Sequence, residues 1–266
     1  MRLTISHTTR YDFAEPVPYG LQQVRLRPMT RAHQTVLSWN LRVEGGSEEV
    51  RFQDQHMNFV DLVRIDPGRT SISLICEGDI ETRGENGIVG PHDGAAPLWY
   101  FRRETPLTRS GAGLKRLIRD FDAKNGQDVS AFHDLARHIS GEVVYRTDTT
   151  HAATTAEEAL SSGLGVCQDH AHIFIAAARL LGYPARYVSG YLMMDDRVEQ
   201  EASHAWAEVH IAELGWVGFD VSNGISPDER YVKIATGLDY SEAAPVAGVT
   251  YGGGGQSMLV SLQVQQ

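Results

Sequence analysis

The sequence predicts an α+β protein, with a β-rich, sandwich-like N-terminal part followed by a part that mixes helices and strands. Three observations predict it. Short alternating or β-branched runs fill residues 1–80. Helical periodicity begins only after a proline-marked break at Pro91, Pro97 and Pro106. Strand-like alternation then returns between Ala185 and Val221. A chain of 266 residues has room for two cores. The break predicts a division into 1–100, the β-rich domain, and 101–266, a second domain that keeps the C-terminal strand.

The first strands are read at Leu3 to Thr9, Gln22 to Leu26, Val36 to Val43, Asn58 to Ile65 and Thr70 to Ile80. Pro16, Pro18, Gly45-Gly46, Pro67-Gly68 and Gly84 punctuate them. Strands this short and this closely spaced suggest a sandwich or half-barrel. Cys76 lies inside one of them and reads as a buried structural thiol. Beyond the break, Leu114, Leu117, Ile118 and Phe121 recur at helical spacing, as do Phe132, Leu135, Ala136 and Ile139. Thr155-Ala156-Glu157-Glu158 is a capping box opening another helix. The glycines of Ser161-Ser162-Gly163-Leu164-Gly165-Val166 end that element, and a helix runs from Cys167 to Leu181, stopped by Gly182 and Pro184. Strands follow at Ala185 to Leu192, Ser203 to Ile211 and Trp216 to Val221. Met258 to Val264 forms the last one.

Composition is ordinary for a globular protein, with 42% apolar and 22% charged residues and a formal charge of −10. No cationic run suits a nucleic-acid backbone, and no apolar stretch approaches the roughly 20 residues of a membrane helix. The N-terminus alternates like a strand and lacks the apolar block of a secretory signal, so a cytoplasmic protein with reduced thiols is expected. Neither nucleic acid nor membrane is an expected partner.

Cys167 follows a glycine-rich turn at the first turn of a helix. The partial positive charge and unpaired N–H groups there favour a thiolate, and can receive an oxyanion once it attacks a carbonyl. In the strand after it, Ala205, Ala207, Val209 and Ile211 form one face; His204, Trp206, Glu208 and His210 form the other. A tryptophan on the second face implies that this face is covered too. In the next strand Asp220 lies opposite Val217, Phe219 and Val221, where a carboxylate can orient an imidazole. If the two strands pair antiparallel without a bulge, His204 and Asp220 share a face only in a register whose paired residue numbers sum to an even number. One such register opposes His210 to Trp216 and Trp206 to Asp220. Cys167, His204 and Asp220 are thus the candidate nucleophile, base and orienter.

The blocks Gly165-Val166-Cys167-Gln168-Asp169-His170-Ala171-His172, Gly182 to Tyr191, His204-Ala205-Trp206 and Gly215 to Asp220 resemble the bacterial transglutaminase-like superfamily. Thr9-Arg10-Tyr11 and Arg25-Leu26-Arg27-Pro28 are similar to the domain preceding that core in bacterial members. The resemblance implies a papain-like core, with the cysteine helix packed on an antiparallel sheet, and assigns the family's triad to Cys167, His204 and Asp220. It implies acyl transfer from a peptide or protein amide through a thioester, to water or to an amine, with no metal or organic cofactor. The sequence departs from the family at Val221, where a proline is usual, and at Leu238, where an arginine is common. Tyr145 and Trp206 are candidates to line the acyl pocket, core packing being the alternative for both.

Other readings are a binding module that kept the fold without catalysis and a zinc hydrolase using Cys167 and His204 with His170 and His172. The acidic group Asp195-Asp196, Glu199 and Glu201 reads as a solvated loop, with a calcium site as its alternative. Oligomeric state is not readable.

Overall fold

The computed structural model describes residues 1–119, 121 and 129–266. The N-terminal part is built from β1 (Arg2–Val17), β2 (Tyr19–Val24), β3 (Gln34–Glu44), β4 (Gly46–Gln53), β5 (Phe59–Ile65) and β6 (Arg69–Thr82). The short β7 (Ile88–Gly90) leads to a 3-10 turn, Leu98–Arg102. The second part contains α1 (Ala112–Leu117), α2 (Val129–Glu142), β8 (Val144–Tyr145), α3 (Ala156–Ser162), β9 (Leu164–Gly165) and α4 (Cys167–Leu180). It continues through β10 (Ala185–Leu192), β11 (Glu199–Gln200), β12 (His204–Ile211), β13 (Gly215–Phe219) and β14 (Tyr231–Gly237). Then come α5 (Tyr240–Ala243), β15 (Val246–Tyr251) and β16 (Gln256–Gln265).

Two sheets, ordered β11-β16-β1-β6-β3 and β15-β2-β5-β4, form the expected sandwich. Strand alternation sends Phe13, Val24, Val63, Ile65, Ile72, Leu74 and Cys76 into the space between them. Burial pushes the Cys76 thiol up to about 12, so it stays protonated, and both cysteines are free. β4 was not legible beforehand, because Ser47-Glu48-Glu49 lies on an exposed strand with no apolar alternation.

Strand pairing crosses the expected division at residue 100, which keeps the C-terminal strand in 101–266. β16 runs antiparallel to β1 over ten residue pairs, from Thr4 opposite Gln265 to Phe13 opposite Gln256. β15 pairs with β2, while β7, from the N-terminal side, joins the edge of the second part's sheet. The reason is edge pairing: β1 and β2 have one neighbour each in β6 and β5, and the returning strands cover their other edges.

The second part is a sheet ordered β14-β10-β12-β13-β7 with α4 on one face. Ala205, Ala207, Val209 and Ile211 of β12 share one cluster with Ile173, Phe174 and Ala177 of α4. Nearly every residue of α4 is buried, as befits a helix enclosed on all sides. On the other face, His33, Gln34 and Arg83 of the N-terminal part line a cavity together with Trp206 and Glu208. Glu208 is fully buried there between Arg186, at 2.7 Å, and Lys233.

The edge strand β14 is capped by two carboxamides. Gln34 Nε2 donates to the Lys233 carbonyl and Gln34 Oε1 accepts from the Lys233 N–H, each at 2.9 Å. Asn58 does the same for Thr236, at 2.7 and 2.8 Å. These side chains stand in for a neighbouring strand, so the edge is satisfied without one. No helix among the described residues is long and apolar enough to cross a membrane.

Candidate active site

Cys167 is the first residue of α4. Gly163 ends α3 in the left-handed conformation (φ 67°), which glycine adopts at no steric cost. Two residues later the chain passes so close to the new helix that a Cβ on Gly165 would stand 2.8 Å from that of Asp169. Asp169 Oδ2 accepts from the Val166 N–H at 2.8 Å and from the Thr150 hydroxyl at 2.7 Å, fixing the helix start against the preceding loop. The first-turn N–H groups that follow have no intrahelical acceptor. Cys167 is partly exposed and carries its sulfur to this end of the helix.

His204 opens β12, and Asp220 lies one residue beyond β13. The two strands pair antiparallel with Ala207 opposite Phe219, His210 opposite Trp216 and Ile211 opposite Gly215. This even-sum register leaves a three-residue loop and puts His204 diagonal to Asp220. The His204 Nε2–H donates to Asp220 Oδ2 at 2.6 Å. With Nε2 so engaged, Nδ1 is the other ring nitrogen, and Cys167 is among the neighbours that act on this imidazole. A proton on Nε2 is the tautomer a base needs.

The missing proline after Asp220 is compensated. Asp220 and Ile225 exchange both backbone hydrogen bonds, at 2.8 and 3.2 Å. Asp220 Oδ1 accepts from the Ser222 and Asn223 N–H groups at 3.0 and 3.2 Å. Burial opposes a charged His204, yet the hydrogen bonds and negative charge of Asp220 and Cys167 prevail and raise its pKa to about 10. Burial likewise opposes the Asp220 carboxylate, and donation from His204, Asn223 and Tyr231 overcomes it, holding the acid below its ordinary value. The arrangement therefore favours a carboxylate beside a charged imidazolium.

The transglutaminase-like superfamily model matches residues 115–221, and the bacterial transglutaminase-like N-terminal region matches residues 3–81. An uncharacterized protein of Mycobacterium tuberculosis is 37% identical across 99% of this chain and 92% of its own length. The chain belongs to the transglutaminase-like superfamily. An uncharacterized protein of Mycobacterium leprae is 26% identical over 99% of this chain and 98% of its own. A solved structure from Cytophaga hutchinsonii, described as a candidate cysteine protease, covers 100% of this chain and 90% of its own at a TM-score of 0.79 and 23% identity. It shares the fold.

Within this transglutaminase-like core the remaining candidates separate. Tyr145 is 52% exposed on β8, beside β9 and the helix start. Burial, then the charges of Cys167 and Asp220, push its phenol up to about 12, so it stays protonated. Trp206 is only 3% exposed and stacks behind the His204 ring at 6.3 Å. It also lines a cavity with His33, Gln34 and Tyr231 on the far side of the sheet from α4.

The zinc set is not gathered. His170 donates from Nε2 to the Val143 carbonyl at 2.9 Å and meets the Ser222 hydroxyl through Nδ1 at 2.8 Å. His172 accepts from the Tyr240 N–H at 3.1 Å, and burial lowers its pKa to about 4. Asp195 and Asp196 are occupied separately, by Arg230 and Arg197. Among the described residues no group of three or more His, Cys, Asp or Glu could hold a metal.

Sequence reasoning missed Tyr231 and Asn223, which both donate to Asp220 Oδ2, at 2.8 and 2.7 Å. The signal for the first was the unread β-branched run Tyr231-Val232-Lys233-Ile234, which is the start of β14.

Proposed function

We propose that this protein is a thiol-dependent enzyme acting on peptide or protein amide bonds through Cys167, His204 and Asp220. The observation that carries the reading is the His204 imidazole, held by Asp220 through Nε2 at 2.6 Å, with Cys167 at the helix start among the groups acting on it. The Cys167 thiolate attacks the amide carbonyl carbon, and the first-turn N–H groups of α4 receive the negative oxygen. The intermediate collapses as the C–N bond breaks and the imidazolium gives its proton to the departing amine. Neutral His204 then takes a proton from water or an incoming amine, which displaces the thiol from the thioester. The cycle ends with an acid or a new amide, and with the thiolate–imidazolium pair restored. We place water first as acceptor, because it is always present and no acceptor pocket is recognisable among the described residues.

Hydroxylamine trapping tests the proposal. Incubation of the protein with a peptide mixture and hydroxylamine should yield hydroxamates where an acyl-enzyme forms, and Cys167→Ala should yield none. Hydroxamates formed equally by Cys167→Ala would remove the thioester. Without hydroxylamine, release of free acid in preference to amine adducts would support hydrolysis.

A further inference from the structure

Three donors converge on one oxygen of Asp220. Oδ2 receives His204 Nε2 at 2.6 Å, Asn223 Nδ2 at 2.7 Å and the Tyr231 hydroxyl at 2.8 Å. A carboxylate oxygen offers about two lone-pair directions, so three donors must share its charge. Asn223 belongs to the same turn as Asp220, but Tyr231 arrives from another strand, β14. Its ring is held edge-on against Trp206 at 5.4 Å, lies 5.9 Å from the His204 ring, and is almost wholly buried. Burial, then Asp220, raise the phenol well above its ordinary pKa, so its proton stays on the donor side of this contact.

We propose that Tyr231 is a positioning residue whose hydroxyl fixes the orientation of Asp220 and limits how strongly that carboxylate holds the imidazolium of His204. This role rests on the triad reading above. An Asp220 freed of this donor would grip the imidazolium more tightly and make it a poorer acid toward the leaving amine. The titratable groups facing this centre are Cys167 on α4, Asp220 and Tyr231, with Tyr145 and His170 close to Asp220 and with Asp228 and Arg230 flanking Tyr231.

Alkylation of Cys167 by iodoacetate provides the test. The reagent is an anion, so its attack is accelerated by the neighbouring imidazolium and slows once that group loses its proton. Tyr231→Phe keeps the ring against Trp206 and should still alkylate fast in mild acid. Its alkaline fall in rate should move upward by about half a pH unit, on the order of a threefold change in the His204 equilibrium. Amide turnover should lose kcat with KM unchanged. Incorporation of 3-fluorotyrosine at position 231 preserves shape, strengthens the donor and should move the fall downward. A merely structural residue would not reverse the sign. Profiles that superimpose for wild type and both variants would overturn the inference while leaving the triad intact. A wild-type protein without accelerated alkylation would remove the triad and this role together.

Discussion

Replacing Asp220 by asparagine isolates the charge of the site from its shape. The carboxamide oxygen can take the Oδ1 position and keep accepting from the Ser222 and Asn223 N–H groups. Its NH2 must then occupy the Oδ2 position, where His204 Nε2, Asn223 Nδ2 and the Tyr231 hydroxyl all now donate. Donors would face donors. His204 escapes by moving its proton to Nδ1, which presents an N–H rather than a lone pair to Cys167 and ends its service as a base. A hydrogen bond to a charged partner contributes about 2 kcal/mol, which corresponds to roughly a 30-fold loss of thiolate–imidazolium pairing. The assay is the rate of iodoacetamide labelling at about pH 6, where an ordinary thiol of pKa about 8.5 is almost unreactive. Wild type should label readily and Asp220→Asn about 30-fold more slowly, with circular dichroism unchanged. Equal labelling rates in the two proteins would refute the coupling between Asp220 and the thiol.

Cys167→Ala removes a small, partly exposed side chain, so urea denaturation should shift by only about 1 kcal/mol while acyl transfer disappears. The raised pKa of His204 also predicts a pH window. Folded at about 10 against an ordinary 6.5, this group contributes stability that is fully present below about 6.5 and is lost as pH rises through about 10. His204→Gln should flatten that part of the stability profile, and an unchanged slope would show that His204 is not the group responsible. Asn58→Ala orphans both the N–H and the carbonyl of Thr236 on the edge of β14, and should cost about 3 kcal/mol in denaturant titration.

Periodicity made the local chemistry legible. The glycine-flanked Cys167 announced a helix start, and the alternation of β12 and β13 fixed which residues share a face. The odd-length turn then followed from parity, and the pairing of His210 with Trp216 obeys it. What parity could not reveal was partnership between elements far apart in the chain. Nothing in the spacing of Asp169 shows that it ties Thr150 to the helix start. His170 and His172 looked like a possible metal pair, yet each is consumed by a different neighbour. Tyr231 carried no motif, because its meaning depends on β14 lying beside β10 and bringing a phenol to a turn eleven residues earlier. A linear division at residue 100 is silent on such pairings for the same reason. Strand alternation says that β16 wants partners, but not that its partner is β1.

That last pairing has a temporal consequence. A ribosome delivers β1 first and β16 only after some 250 further residues, yet the two lie side by side from Thr4 opposite Gln265 onward. During synthesis β1 has β6 on one edge and nothing on the other, while the sheet that holds β12 and β13 has all its strands by residue 237. The first sheet to begin is therefore the last to be finished. Contacts this distant in sequence form slowly, and until they do Leu3 and Ile5 lack Leu262 and Val264, their companions in the same core. A nascent chain of this protein would carry Cys167, His204 and Asp220 on a finished sheet and its helix beside an unclosed sheet, and truncation shortly before Gln256 should leave it in that state permanently.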